Sequence, residues 1–351
     1  MNPKHPYLTF EKQLRQLENR GIIVNDKSFA INALQNFSYY SLSNGYKDLF
    51  LASRSPEKFK DGTTFEMLYT ANWLDLSMSN ILFKYSLIVE KQLKTAVSHV
   101  VAKSFSIEET RYLNPKNYST TKAQRGKFSD VQKAIDEAKY KNPVCKYYMD
   151  TEDNLPPWIA IQGISFGSAV NWYSILREPH KLEVIDSFLN LILKSGAILK
   201  LEDRKHFFKI CLEQVYEFRN LSAHGNRTFK LQLPEKQRQV PRYLKSAKLD
   251  KYYPAQDGVI ISRDSIFSII MSLLILINDA FVSRNLINEL DKLFEFYADD
   301  PNIFIDSSIY DLFGLEPNFI EFLVSFFNYL NCQIKLEKNY LLICNVLHEY
   351  F

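Results

Sequence analysis

Glycine is scarce in this chain, with 10 residues among 351. So few glycines disfavour a sheet-rich α/β enzyme, and the sequence contains neither a Gly-rich phosphate loop nor the H-E-x-x-H motif of zinc proteases. Its most apolar stretch, residues 266–277, has only 12 residues, whereas a membrane-spanning helix needs about 20. The stretch therefore predicts a buried helix, and we expect no membrane partner.

Cysteine and histidine are also few. The four cysteines (Cys145, Cys211, Cys332 and Cys344) and the six histidines do not follow the spacing of a metal site. We therefore expect reduced cysteines, a cytoplasmic protein, and no metal or other cofactor. Residues 1–6 lack the apolar segment of a secretory leader, which agrees with that expectation.

Apolar residues are plentiful: they form 46% of the chain, which includes 26 Phe and 21 Tyr. In several segments they recur every three or four positions, the spacing that places side chains on one face of a helix. The pattern predicts a mainly α fold, a helical bundle with an N-terminal helical segment and a helical C-terminal extension. The predicted helices include residues 63–105 (one or two helices), 129–141, 159–176 (either continuous or broken near 163–167), 202–219, 263–296 and 340–350, and residues 53–62 are predicted to form a polar loop.

The net charge of +3 conceals a segregation of charge along the chain. Residues 111–147 hold nine Lys or Arg against three acids and residues 227–251 hold eight against two, whereas residues 289–321 hold nine acids and one Lys. A solvated face explains most such runs. Tyrosines interleaved with cations also suit RNA, because cations contact phosphates and rings stack on unpaired bases. The candidate RNA-binding cations are Arg125, Lys127, Arg227, Lys230, Arg238, Arg242, Lys245 and Lys248, and the interleaved tyrosines are Tyr112, Tyr118, Tyr140, Tyr243, Tyr252 and Tyr253.

The most informative short motif is Arg219-Asn220-Leu221-Ser222-Ala223-His224. Arginine can hold a phosphate with a fork of donors and offset developing charge, and histidine can move a proton near neutral pH. Arg219 and His224 are therefore candidate catalytic residues for phosphodiester chemistry, and Asn220 could cap a helix end or hold the imidazole. The other interpretation is a surface arginine and a C-terminal histidine that favours the helix dipole.

The motif lies at the end of a predicted helix, where Gly225 is a natural stop. Five positions turn an ideal helix by about 500°, which leaves the side chains of Arg219 and His224 about 140° apart. The pair can share a site only if the helix ends or distorts between Ser222 and Gly225, or if the long arginine reaches around. Glu90, in a predicted long helix, either pairs with Arg219 and positions it or is an ordinary exposed glutamate.

Together these elements resemble the Abi-like abortive-infection proteins of bacteria (the AbiD/AbiF type). The resemblance covers residues 8–230, and Ser41 stands where the family commonly has arginine. The matching elements are the opening Leu8-Thr9-Phe10-Glu11-Lys12-Gln13-Leu14 with Gly21-Ile22, Asn36-Phe37-Ser38-Tyr39-Tyr40-Ser41-Leu42 with Gly45-Tyr46, Leu155-Pro156-Pro157-Trp158 with Ser165-Phe166-Gly167, and the Arg219–His224 motif with Arg227.

The resemblance implies a HEPN domain, related to the nuclease domains of type VI CRISPR effectors, and with it a metal-independent endoribonuclease for phage defence. In such enzymes two HEPN domains face each other and both Arg–His pairs line the site. This chain has one such motif, so the resemblance implies a homodimer. It also implies a toxin restrained by a small non-coding RNA antitoxin. We expect cleavage through attack of the ribose 2′-OH.

The predicted organisation has three parts: an N-terminal helical segment (1–62), a HEPN core (63–230) with a basic insertion at 106–157, and a basic loop with a C-terminal helical extension (231–351). Two other functions remain open. A non-cleaving RNA-binding protein could hold a structured non-coding RNA through the same basic segments. A DNA-binding regulator is the weaker alternative, because no helix-turn-helix is evident.

Overall fold

The structure, a computed structural model, describes residues 7–119, 121–189, 199–257, 259–298, 300 and 303–331. These residues are mainly helical, which confirms the predicted fold class. The α-helices are α1 (Phe10–Glu18), α2 (Lys27–Phe37), α3 (Phe65–Ser104), α4 (Glu109–Tyr112), α5 (Lys122–Lys141), α6 (Pro143–Glu152), α7 (Pro157–Ala160), α8 (Phe166–Ile175), α9 (Glu178–Phe188), α10 (Leu201–Ala223), α11 (Pro241–Ser246), α12 (Ile266–Leu276), α13 (Ala280–Tyr297), α14 (Ile309–Phe313) and α15 (Phe319–Asn331). Two antiparallel hairpins pair β1 (Leu51–Arg54) with β2 (Glu57–Phe59) and β3 (Ala255–Gln256) with β4 (Val259–Ile260).

Helix α3 lies at the centre of the bundle. Its 40 residues contain neither proline nor glycine, and Thr64 caps its first turn by accepting from the Met67 N–H at 3.2 Å. α3 packs against α7, α8, α9, α10, α12 and α13. Buried apolar residues recur along it from Phe65 to Val101. Residues 63–105 therefore contain one long helix around which the core is built.

The predicted single helix over residues 263–296 is wrong. α12 ends at Leu276, and Asp279 caps α13 by accepting from the Val282 N–H at 3.0 Å. Every residue of α12 is buried, whereas α13 buries one face. The polar pair Asn278-Asp279 interrupts the apolar run, and the aspartate offers the backbone an alternative to continued helix.

Residues 106–157 form more structure than the one predicted helix. They contain α4, α5 and α6, and α5 begins at Lys122 because Thr121 caps it. α5 packs against α8. The contact uses the buried face of α5, which carries Phe128, Val131, Ile135 and Ala138. This basic segment thus contributes to the same core as α3.

Two short hairpins depart from the helical pattern. The predicted polar loop at residues 53–62 contains most of the β1–β2 hairpin, because Phe59 is buried and gives the strand an apolar anchor. β4 consists of the two apolar residues Val259 and Ile260. The predicted helix at residues 340–350 lies outside the described residues.

Gly163→Ala should destabilise the fold by about 1–3 kcal/mol through overpacking. A Cβ at Gly163 would lie 2.7 Å from both Ala138 Cβ and Cys145 Sγ. Gly126→Ala is the matched control, because Gly126 lies within α5 and a Cβ there would have nothing within 4 Å. That change should stabilise the protein by up to about 1 kcal/mol through helix propensity. Urea unfolding measures both, and equal stabilities would contradict the close packing at Gly163.

Candidate active site

The candidate motif occupies the end of α10. Beyond the helix, Gly225 adopts a φ of +68°. Its N–H donates to the Ser222 carbonyl at 3.0 Å, and the Asn226 N–H donates to the Leu221 carbonyl at 3.0 Å. These two bonds form a Schellman ending, for which glycine is suited because it adopts positive φ without strain. The prediction that Gly225 stops the helix is confirmed.

The Arg219 guanidinium lies against α3, where its Nη2 is 3.1 Å from Oε2 of Glu90. Glu90 is buried, with 8% of its surface exposed. Oε1 of the same carboxylate pairs with Lys94 Nζ at 3.0 Å, and Lys94 also donates to the Ile164 carbonyl at 2.7 Å. Of the two interpretations of Glu90, the one that pairs it with Arg219 is therefore confirmed.

The contact between Arg219 and Glu90 is an ion pair without hydrogen-bond alignment. Glu90 Oε2 and Arg219 Nε both lack a hydrogen-bond partner among the described residues. Arg219 Nη1 donates to Asn220 Oδ1 over a long 3.4 Å, so Asn220 contacts the guanidinium. The Arg219 side chain is 26% exposed. The guanidinium is held in place while it keeps donors for an anion such as a phosphate.

His224 immediately follows α10. Its backbone N–H donates to the Asn220 carbonyl at 3.2 Å. The residue is exposed, and its imidazole has no hydrogen-bond or ion-pair partner in the described part of the chain. Because α10 stays regular up to Ala223, Arg219 and His224 are about 7.5 Å apart along the helix axis and about 140° apart around it. Within one chain the two side chains therefore leave α10 in different directions.

Asp75 on α3 anchors the loop that follows the motif. Its Oδ1 accepts from the N–H groups of Thr228 (3.0 Å) and Phe229 (2.9 Å) and from the Thr228 hydroxyl. Its Oδ2 accepts from the Tyr46 hydroxyl at 2.8 Å. Only 3% of Asp75 is exposed. Burial raises the pKa of this carboxyl, although the four hydrogen bonds oppose the shift.

Arg227 makes a second contact that fixes the loop after the motif. Its Nη1 donates to the carbonyl of Gly45 and, at 3.5 Å, to that of Asn44. A Cβ on Gly45 would lie 3.3 Å from this nitrogen, so the glycine leaves room for the guanidinium. Arg227 therefore ties the loop after the motif to residues 44–45, and the second and fourth elements of the resemblance meet here.

Residues 163–167 read Gly-Ile-Ser-Phe-Gly, which matches the G-x-S-x-G pattern of a hydrolase nucleophile elbow. The structure gives them a different role. A 3-10 turn precedes Ser165 instead of a strand, and Ser165 caps α8 by accepting from the Ser168 N–H at 3.1 Å. A Cβ on Gly167 would lie 2.9 Å from the Tyr216 hydroxyl. This glycine therefore allows α8 to approach α10 near Arg219.

The predicted RNA-binding cations differ in how free they are. Lys127 donates to the Ser174 hydroxyl at 3.3 Å. Three others form ion pairs: Lys230 with Asp48 at 3.1 Å, Arg238 with Asp264 at 3.2 Å, and Arg242 with Asp203 at 3.2 Å. Those that are exposed and have no partner among the described residues are Arg125, Lys245 and Lys248.

Most of the tyrosines interleaved with these cations belong to the core. Trp172 Nε1 donates to the Tyr118 hydroxyl at 3.1 Å, and His206 Nδ1 lies 2.7 Å from the Tyr243 hydroxyl. A buried ring cannot stack on a base, so the stacking expectation is wrong for all of them except the exposed Tyr140. The buried ones are Tyr112, Tyr118, Tyr243, Tyr252 and Tyr253.

Three polar residues of α3 contact the site and were not singled out from the sequence: Asp75, Ser79 and Lys94. Ser79 Oγ donates to Ser222 Oγ at 3.1 Å. Together with Glu90 these residues occupy positions 75, 79, 90 and 94, which fall within about 100° of one another around a helix. The available signal was that these polar residues recur at helical spacing within a predicted long helix.

No described helix is both long enough and apolar enough to cross a membrane. Within the same ranges, no group of three or more His, Cys, Asp or Glu side chains is placed to hold a metal ion.

Comparison with known proteins finds a family match. The family of Abi-like proteins matches residues 32–230, more than half of the chain. This range contains the motif, Glu90 and Asp75, and it ends one residue beyond the loop residues that Asp75 holds. No curated protein and no solved structure matches the chain.

Asp75→Asn should change how stability depends on pH. Because burial raises the pKa of Asp75, its contribution to folding is complete below about pH 4, where unfolded aspartate titrates, and is lost as pH rises through the raised value. An amide cannot titrate there. Wild type should therefore lose stability relative to the variant as the pH rises above about 4.

Urea unfolding at several pH values measures this difference, and parallel curves for the two proteins would contradict it. Asp75→Ala is the companion variant. It leaves the donors of Thr228, Phe229 and Tyr46 without their acceptor and should cost about 3 kcal/mol or more.

Proposed function

The chain belongs to the family of Abi-like proteins, and we propose that it is a HEPN-type, metal-independent endoribonuclease that acts as an abortive-infection toxin. The family suggests the abortive-infection role. One observation carries the proposal of cleavage: Arg219 is paired with Glu90 and its side chain is still 26% exposed, on the helix that leads directly to the exposed His224. A permanent cation and a titratable imidazole are the two groups that phosphodiester cleavage needs.

In the proposed reaction the ribose 2′-oxygen bonds to the adjacent phosphorus, and the bond from phosphorus to the 5′-oxygen of the next nucleotide breaks. A base takes the 2′-OH proton and an acid gives one to the leaving oxygen, so the protons balance. Arg219 offsets the charge on the phosphorus oxygens. The products are a 2′,3′-cyclic phosphate and a 5′-OH. DNA lacks the 2′-OH and should not be cut by this route.

A single His224 cannot serve both ends of this reaction at once. The entering and leaving oxygens lie roughly in line on opposite sides of the phosphorus, so the base and the acid need separate positions. The chain has one Arg–His motif, and its two side chains leave α10 in different directions. These facts support a homodimer in which the two His224 side chains face one groove.

RNA is proposed as the substrate and, in the form of a structured non-coding antitoxin, as the restraint on the toxin. Arg125, Lys245 and Lys248 are the predicted cations for which we expect phosphate contact first, because they are exposed and unpaired in the described ranges. The others already have protein partners, which they would have to exchange for a phosphate: Lys127, Arg227, Lys230, Arg238 and Arg242.

Arg219→Ala and His224→Ala should each abolish RNA cleavage and toxicity without loss of the fold. Arg15→Ala and His99→Ala are matched controls, because both residues are exposed on helices outside the motif. The assay is purified protein on total RNA in EDTA, with the cleaved ends mapped and growth measured on expression.

Full RNA cleavage by both the Arg219→Ala and the His224→Ala variant would contradict the nuclease proposal. A wild-type protein that binds RNA without cutting it would support the alternative function, a non-cleaving RNA-binding protein.

Lys245→Gln combined with Lys248→Gln should reduce the salt dependence of RNA binding. Each phosphate contact to a single strand contributes about 0.7 to the slope of log K against log salt, so the loss of two contacts should flatten it by about 1.4. Lys12→Gln with Lys58→Gln is the matched control, on α1 and β2. Filter binding over a salt series measures the slopes, and equal slopes in all proteins would mean that Lys245 and Lys248 are merely solvated.

A further inference from the structure

A cleft between α2 and the first turns of α3 lies outside the candidate active site. Its volume is about 310 Å³, and it opens to solvent. Pockets for small molecules usually measure about 300–1,000 Å³. The buried Ala33 lies in the lining of the cleft between Phe29 and Phe37, and its single methyl group leaves the space unfilled. The cleft therefore has room for one small ligand.

Three aromatic rings line this cleft. Tyr69 of α3 contacts Phe29 edge to face, with ring centroids 4.9 Å apart, and Phe37 in the same way at 5.7 Å. All three side chains are only partly buried against the core. Partly exposed aromatic rings favour a flat ligand that can stack on them, and nucleobases are the commonest such ligands.

Two exposed amides on α2 give the cleft a polar edge. Asn36 Nδ2 donates to Asn32 Oδ1 at 2.6 Å. This bond fixes the two amides relative to each other and leaves a donor, Asn32 Nδ2, and an acceptor, Asn36 Oδ1, without partners among the described residues. Adenine presents the complementary edge, an acceptor at N7 beside the N6 amino donor.

Asp26 lies at the other end of the cleft, about 9 Å along the helix axis from Asn32. Its Oδ1 caps α2 by accepting from the Phe29 N–H at 3.0 Å, and its Oδ2 has no partner in the described part of the chain. A carboxylate accepts hydrogen bonds from ribose hydroxyls. No lysine or arginine is among the described residues that line the cleft, so a phosphate would find no cation there.

We propose that this cleft binds adenosine, either as a free nucleoside or nucleotide or as an unpaired adenosine of an RNA strand. The base packs on the aromatic rings, Asn32 Nδ2 donates to N7, Asn36 Oδ1 accepts from the N6 amine, and the ribose extends toward Asp26. Any phosphate points to solvent. Neither the cleft nor its ligand depends on the proposed function.

Adenosine should bind the full-length protein at least about 10-fold more tightly than guanosine or inosine, because a base with O6 beside N7 offers two acceptors and leaves Asn36 Oδ1 facing one of them. Isothermal titration calorimetry with the three nucleosides measures the dissociation constants. ATP should bind no more tightly than adenosine, because the cleft offers its phosphates no cation.

Asn32→Ala and Asn36→Ala should each weaken adenosine binding at least about 10-fold. Both residues are exposed, and alanine is the better helix former, so the variants should stay folded. Gln35→Ala is the matched control, because Gln35 is an exposed amide on α2 that does not line the cleft. Circular dichroism and thermal unfolding verify the fold of each variant.

A heptamer of uridine with one central adenosine, compared with the all-uridine strand, distinguishes the two sources of the ligand. If the adenosine strand binds more tightly than both the all-uridine strand and free adenosine, and Asn36→Ala removes this preference, the source is RNA. If free adenosine binds as tightly as the adenosine strand, the source is the free nucleoside or nucleotide.

Equal affinities for adenosine and guanosine, or adenosine binding that neither asparagine variant weakens, would overturn the inference. So would the absence of adenosine binding together with no preference for the adenosine-containing strand. Adenosine contains no phosphodiester bond, so its binding can be present or absent whether or not the protein cuts RNA.

Discussion

The carboxylate of Asp75 holds together the part of the molecule on which the candidate site depends. It accepts hydrogen bonds from Thr228 and Phe229 on one side and from Tyr46 on the other, and only 3% of Asp75 is exposed. A buried donor without its acceptor costs about 1–3 kcal/mol, so the loop cannot leave α3 without a penalty. That loop begins where α10 ends, and its fixed course keeps His224 at the helix end and directs Arg227 onto residues 44–45.

Helix α3 contacts the candidate site through one face, and residues of the adjacent face are exposed to solvent. Its polar face orients Arg219 through Glu90 and contacts Ser222 through Ser79. Because both contacts come from one continuous helix, the positions of Arg219 and Ser222 depend on the same element.

Several features followed from sequence because their causes are local. Gly225 could be assigned as a helix stop because a left-handed residue after a helix favours glycine whatever surrounds it. Other predictions failed where the cause was not local. The apolar pattern over 263–296 did not show that Asp279 would cap a new helix. The alternation of lysine with tyrosine did not show that Tyr118 and Tyr243 are buried in the core. The periodicity of apolar residues indicates which face of a helix is buried. The neighbouring elements then determine where that face lies in the fold.

The sequence by itself determined the mainly α class, the Arg219–His224 motif with its stop at Gly225, and the likeness to Abi-like proteins, because each depends on residues close together in the chain. Tertiary structure alone decided that Glu90, more than one hundred positions before Arg219, pairs with it, and that Asp75 holds Thr228. It also decided which cations are already paired. Ion pairs and buried hydrogen bonds depend on distances of a few ångströms between segments far apart in sequence, and those distances exist only once the helices have packed.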